Sequence, residues 1–225
     1  MRVLIFVLVA ITCLGCHSSK SVILTNAIGF SQDDQIQEII LIRHGEPMLD
    51  KKSARSRRKM KQYIYDYDTA KVYPFDKSPV QFAKGEIDTI YSSPIVRARD
   101  TAEKLFGGQF MIVEDSVFRE FERGVFPLPF IHLRPKTWGV LSRIPWLIGF
   151  HPRSVEGFRS ARKRAKNDVK FLELKAQQNG RTVLVAHGFL NRYLKKYLMK
   201  NGWKLSHDGG KDYLSVQVLS RAINR

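Results

Sequence analysis

Ile39-Ile40-Leu41-Ile42 is a short uninterrupted apolar run that stops at Arg43-His44-Gly45. Thr182-Val183-Leu184-Val185-Ala186 repeats the pattern and stops at His187-Gly188. Runs of this length with no polar alternation suit strands covered on both faces, as in a parallel sheet. Each then delivers a histidine to the carboxyl end of its strand, the edge of an open α/β sheet where ligands bind.

The rest of the chain fits around these two strands. Asp88-Thr89-Ile90-Tyr91-Ser92 reads as a third strand, and Val96 to Phe106 as the helix after it, stopped by Gly107-Gly108. Ser154 is placed to cap a long helix bearing Phe158, Ala161, Ala165, Val169 and Leu172 at spacings of three and four. A further helix runs from Leu190 to Leu198 and ends near Asn201-Gly202, and Tyr213 to Val218 is a candidate last strand. Alternating strands and helices predict an α/β fold, a three-layer α/β/α sandwich with a mostly parallel central sheet. Two segments resist this pattern and are expected to be long functional loops: the basic stretch Lys51 to Lys61, and Val125 to Pro152, which is apolar, aromatic and broken by prolines. The second suits a lid over a site, a surface resting on a membrane, or core packing under an insertion.

At 225 residues the chain has room for one domain of ordinary size, and 44% hydrophobic with 26% charged residues places it among globular proteins. Residues 1–16 stand apart, with Arg2, an apolar run from Val3 to Ile11, then Thr12-Cys13-Leu14-Gly15-Cys16. The run is too short to span a bilayer, and the segment reads as a secretory signal. Its end resembles a bacterial lipoprotein signal, with Cys16 as the lipidated residue and Cys13 in place of the usual leucine. Residues 17–34 then form a tether and 35–225 the domain. The expected location is the bacterial cell envelope, with membrane contact through the N-terminal lipid anchor. Both cysteines lie in the signal, so the domain has neither a disulfide nor a cysteine nucleophile. A net charge of +17 favours anionic partners. No metal motif is present, no cofactor is expected, and the basic run lacks the aromatic interleaving that nucleic-acid binding would use.

Two histidines at strand ends, one beside an arginine, suit phosphoryl transfer, which needs a nucleophile, cations for the phosphoryl oxygens and an acid for the leaving group. Leu41-Ile42-Arg43-His44-Gly45-Glu46 resembles the signature of the histidine phosphatase superfamily, which includes the phosphoglycerate mutases. Ser92-Ser93-Pro94-Ile95-Val96-Arg97-Ala98-Arg99-Asp100-Thr101-Ala102 is similar to its second element, and Val183 to Gly188 to its second histidine strand. The resemblance implies that His44 is the nucleophile, becoming phosphohistidine, and that Arg43, Arg97 and His187 hold the phosphoryl oxygens, with Glu46 also among the substrate contacts. Phe189 follows Gly188, which points to branch 1 of the superfamily, where the acid comes from mid-chain. Phe118-Arg119-Glu120 matches that place, so Glu120 is the implied acid and Glu122 its reserve; the role calls for a protonated carboxyl. Arg99 stands one residue off the motif and is read as a solvated helix arginine. Pro47 and Asp50 depart from the usual serine or threonine and asparagine, so Asp50 must point away from phosphate or be compensated by neighbouring cations. The expected activity is a phosphomonoesterase acting on a phosphorylated small molecule or phosphoprotein. A weakly active anion-binding docking module and a mutase-like phosphotransferase are the alternatives.

Overall fold

A computed structural model describes residues 22–23, 35–83, 85–127 and 131–223. In chain order the elements are β1 (Val22–Ile23), β2 (Ile36–Arg43), α1 (Arg57–Thr69), β3 (Val80–Gln81), β4 (Thr89–Ser92), α2 (Val96–Phe106), β5 (Met111–Glu114), a 3₁₀ turn at Ser116–Phe118, α3 (Pro135–Leu147), α4 (Phe158–Asn179), β6 (Arg181–Ala186), α5 (Gly188–Lys200), β7 (Lys204–Asp208) and β8 (Val216–Ala222). Six strands make one sheet in the order β5-β4-β6-β2-β8-β7. The pairs β5-β4, β4-β6 and β6-β2 are parallel, while β8 runs antiparallel to both its neighbours. The two apolar runs are therefore the two central strands, and Ile39 to Ile42 and Val183 to Ala186 have no solvent contact.

Side chains alternate across a strand, so each run feeds two cores. Ile39, Leu41, Leu184 and Ala186 face α4 and α5, joining Leu172, Leu190 and Leu194. Ile40, Ile42, Val183 and Val185 face the other way, toward Ala102 and Phe106 of α2. This is the expected layered α/β/α arrangement. Residues Ile42 and Val185 pair directly, as do Arg43 and Ala186, so the next residues, His44 and His187, leave the sheet side by side.

The two expected loops each contain part or all of a helix. Arg57 to Lys61 opens α1, whose N-cap Ser56 accepts from the Lys59 N–H. Met60, Tyr63 and Tyr67 recur at helical spacing and pack on Val125 and Trp138, a third small core that the density of cations concealed. Within the 125–152 segment, Pro135 begins α3, a position where a missing N–H costs nothing, and Trp138 and Trp146 face inward. Ser154 caps no helix, since α4 starts at Phe158 after Gly157. A Cβ at 157 would lie 2.6 Å from the His151 ring, which explains the glycine. The last strand begins at Val216, leaving Tyr213 in the preceding loop. Edge strands β5 and β7 escaped the sequence because they are short and at most partly buried: β5 offers only the brief run Met111 to Val113 and β7 has none. Within the stretch expected to be a tether, Val22–Ile23 pairs in parallel with β3. The expected signal with Cys16, and the other residues of the expected tether, lie outside the described residues. Among those described, no helix is long and apolar enough to cross a membrane.

Asp168 of α4 is fully buried with an oxygen lacking a hydrogen-bond partner, and its nearest cation, Arg164, lies 3.9 Å away. Burial pushes its carboxyl up to about 7 against Arg164, which pulls it down. A carboxyl whose folded pKa exceeds its unfolded one loses stability as pH rises from about 4 to about 7. Asp168→Asn should therefore match the parent at pH 4 and exceed it at pH 8 by on the order of 2–4 kcal/mol in chemical denaturation.

Candidate active site

His44 follows directly on β2, and its N–H donates to the Ala186 carbonyl at 2.9 Å, tying it to the neighbouring strand. Gly45 N–H donates to Thr101 Oγ1 at 2.9 Å, and that hydroxyl donates to the Arg97 carbonyl, so α2 pins the turn. The His44 Nδ1 lies 2.7 Å from the Gly45 carbonyl. A carbonyl only accepts, so the proton sits on Nδ1 and Nε2 keeps its lone pair. Nε2 takes the Arg97 Nε–H at 3.2 Å. Burial, followed by the Arg97 charge, holds the His44 pKa well below the usual 6.5, although the bond to Gly45 works the other way. The imidazole is neutral at pH 7, the form a nucleophile requires.

Arg97 is almost fully buried in the first turn of α2, held by the Tyr67 carbonyl at 3.1 Å and Asp68 at 2.6 Å. His187 lies behind, its ring centre 5.3 Å from that of His44 and its Nε2 2.8 Å from Ser93 Oγ. Its pKa too is held well below 6.5, chiefly by burial and then by Arg97, and its Nδ1 has no partner. Arg43 stacks 4.2 Å over Tyr213, donates to the Lys211 carbonyl and leaves its buried Nε unpaired. Glycine after the second histidine leaves room for this side chain: a Cβ at Gly188 would sit 3.1 Å from Arg43 Nε, tighter than ordinary van der Waals contact.

Beside these groups lies a cavity of about 280 Å³. Its lining includes six cations, Arg43, Arg97, Arg123, Arg192, Lys195 and Lys211, and one carboxyl group, Glu120. Such a field selects anions. Both Glu120 oxygens accept backbone N–H groups, from Phe121 at 2.9 Å, Leu190 at 3.0 Å and Phe189 at 3.3 Å, so the carboxylate caps α5. This is an acceptor arrangement, where the acid role requires a proton.

Two expected positions, Glu46 and Glu122, fall elsewhere, and Asp50 points away as one of its two expected arrangements had it. Glu46 is exposed and paired with Lys51, off the cavity wall, because the chain turns outward where Pro47 bridges to Val72. Glu122 accepts from the Glu156 N–H and does not line the cavity. Asp50 also points away: it pairs with Arg55 at 3.1 Å, and hydrogen bonds from the Ser53 side chain and from the Lys52 and Ser53 N–H groups hold its pKa well below the ordinary carboxylate range. Arg99 is a surface arginine 4.0 Å from Glu114, as expected.

Three residues close to His44 were not foreseen. Tyr67 stands edge-on to its ring at 6.3 Å, Tyr213 lies 5.6 Å away, and Arg123 bonds Asp68 at 2.8 Å. Their motif-free surroundings gave no signal, since packing of α1 and two loops brings them in.

The family model of the histidine phosphatase superfamily (branch 1) matches residues 77–224. The chain belongs to this superfamily. The matched stretch contains Arg97, Glu120 and His187, while Arg43 and His44 precede it and join the site through the β2-β6 pairing. No curated protein sequence matches the chain. Among solved structures, a mycobacterial hydrolase is 19% identical, covering 84% of this chain and 97% of its own, with a TM-score of 0.51, which supports the superfamily's fold. A mycobacterial glucosyl-3-phosphoglycerate phosphatase is 20% identical over 82% of this chain and 90% of its own, at 0.49. A phosphoserine phosphatase from Entamoeba histolytica is 18% identical over 83% and 95%, at 0.43.

Two histidines held neutral by burial have a consequence for stability. Below pH 6.5 the unfolded chain binds protons that the folded chain refuses, so stability falls as acid is added. His44→Asn should lose less melting temperature than the parent between pH 7 and pH 5, measured by calorimetry; an identical loss would mean that His44 charges without cost.

Proposed function

We propose that the protein is a phosphomonoesterase of the cell envelope that works through a phosphohistidine on His44. The observation that carries this reading is the Nδ1–H bond to the Gly45 carbonyl, which leaves Nε2 as an unprotonated nucleophile beside a cation-lined cavity. Nε2 attacks phosphorus in line with the ester oxygen; the N–P bond forms and the P–O ester bond breaks. Arg97 turns its Nε–H from Nε2 to a phosphoryl oxygen, with Arg43 and His187 supplying further donors. The departing oxygen takes a proton from Glu120, the carboxyl group on the cavity wall. Water then attacks phosphorus, gives its proton to Glu120, and the N–P bond breaks to release inorganic phosphate. Ionised Glu120, accepting three N–H groups, is set for this second half. The phosphate's charge favours its protonation in the first.

The substrate is a phosphorylated small molecule or a phosphoprotein, reached from a membrane to which Cys16 and the apolar run before it would attach the chain. A mutase-like transfer is the weaker reading, because Pro47 and Asp50 replace two of the residues that follow the first glycine in the fuller mutase pattern.

Phosphate release from sugar phosphates, nucleotides, phospholipid headgroup esters and a phosphopeptide should be measured alongside His44→Ala. The expected result is release by the parent, an acid-labile phosphoenzyme in rapid quench, and neither in the variant; equal release by both would sink the proposal. Glu120→Gln should slow alkyl phosphates by roughly 10²–10⁴ and p-nitrophenyl phosphate far less, because a good leaving group needs no proton.

A further inference from the structure

Helix α3 buries Trp138 and Trp146 and turns the opposite face to solvent. Val140, Ile144 and Leu147 recur there at helical spacing, and the chain continues through Ile148, Gly149 and Phe150, with Ile148 71% and Phe150 72% exposed. Large side chains scattered singly are ordinary, but an exposed apolar row that ends in two nearly bare residues marks a contact surface.

The charge around this face specifies the partner. No acidic residue occurs between Glu122 and Glu156, a stretch that holds Arg134, Lys136 and Arg153, all exposed. Backbone pairing of Arg55 with Leu133 brings the start of α1 alongside, and Arg57 shares a cleft with Phe126 and Phe150. The two carboxylates that bound the stretch are used internally, Glu122 by the Glu156 N–H and Glu156 by Arg119 and Arg164. Asp50, the carboxylate next to Arg55, is engaged by it at 3.1 Å, and an apolar face with a rim of predominantly cationic charge is complementary to anionic headgroups above an acyl layer.

We propose that the outer face of α3 and the Ile148–Phe150 turn dock on an anionic lipid bilayer. Apolar side chains enter the headgroup boundary while Arg57, Arg134 and Lys136 meet lipid phosphates. This contact belongs to the folded domain and is separate from the N-terminal segment, which would hold the chain near a membrane without orienting it.

The test uses the full chain with Cys13→Ser and Cys16→Ser, carrying an environment-sensitive fluorophore on Ile148→Cys or, as a control, on Met111→Cys of edge strand β5. Vesicles of phosphatidylcholine, with and without phosphatidylglycerol, are added. The expected result is a blue-shifted signal at 148, quenched by lipid-borne quenchers and strongest on anionic vesicles, with none at 111. Arg134→Glu/Lys136→Glu should raise the anionic lipid needed for half that signal at least about tenfold, and Val140→Ser/Ile144→Ser should weaken it on every vesicle. An unchanged label at 148 on all vesicles overturns the proposal. A label already shielded without lipid overturns it too: shielding that grows with protein concentration means a second copy covers the face, and shielding independent of concentration means the Val3 to Ile11 run does.

Discussion

A single hydrogen bond, from His44 Nδ1 to the carbonyl of the next residue, fixes which nitrogen of the imidazole can react. It forms only if the turn after β2 aims the Gly45 carbonyl back at the ring. That turn is held by the Ala186 carbonyl from one side and by Thr101 from the other. Strand pairing and the docking of α2 are thus both upstream of the chemistry. The sheet supplies the neighbour, the helix supplies the clamp, and the tautomer follows.

Burying cations beside a neutral histidine creates an electrostatic debt that the site settles only in part. Asp68 serves both Arg97 and Arg123, while Tyr67 presents its ring to both guanidinium groups at about the same distance, 4.6 and 4.5 Å. Arg43 leans on Tyr213 and a carbonyl, with no carboxylate. The positive charge left over is what an incoming phosphate neutralises, so the cavity is built to be completed by its ligand.

The sequence disclosed this site unevenly. His44, His187, Arg43 and Arg97 were legible because each follows directly from a buried run or a motif, and a strand end is a fixed place in the fold. Glu46, one residue beyond the motif glycine, stands off the cavity wall, because adjacency along the chain says nothing about direction once Pro47 turns it. Tyr67, Arg123 and Tyr213 were illegible, since they reach His44 through packing between distant segments. The same cause hid α1 and α3, where cations and prolines masked the spacing of Tyr63, Tyr67, Trp138 and Trp146.

The capping of α5 by Glu120 also has an evolutionary side. One side chain closes a helix end and supplies the cavity's carboxyl group, so the 115–123 segment cannot drift without uncapping the helix that follows His187. Gly188 lets the same helix start close to the Arg43 side chain at the end of β2. Selection acting on this half of the site meets several constraints at once. The loop before β8, which brings Lys211 and Tyr213 to the opposite side, is tied down as well: the Arg43 side chain donates to the Lys211 carbonyl and stacks on Tyr213, and the Arg43 N–H donates to the Ser215 carbonyl. Both walls of the cavity are thus anchored to β2, and a change of ligand preference has to come from side chains projecting off a fixed backbone.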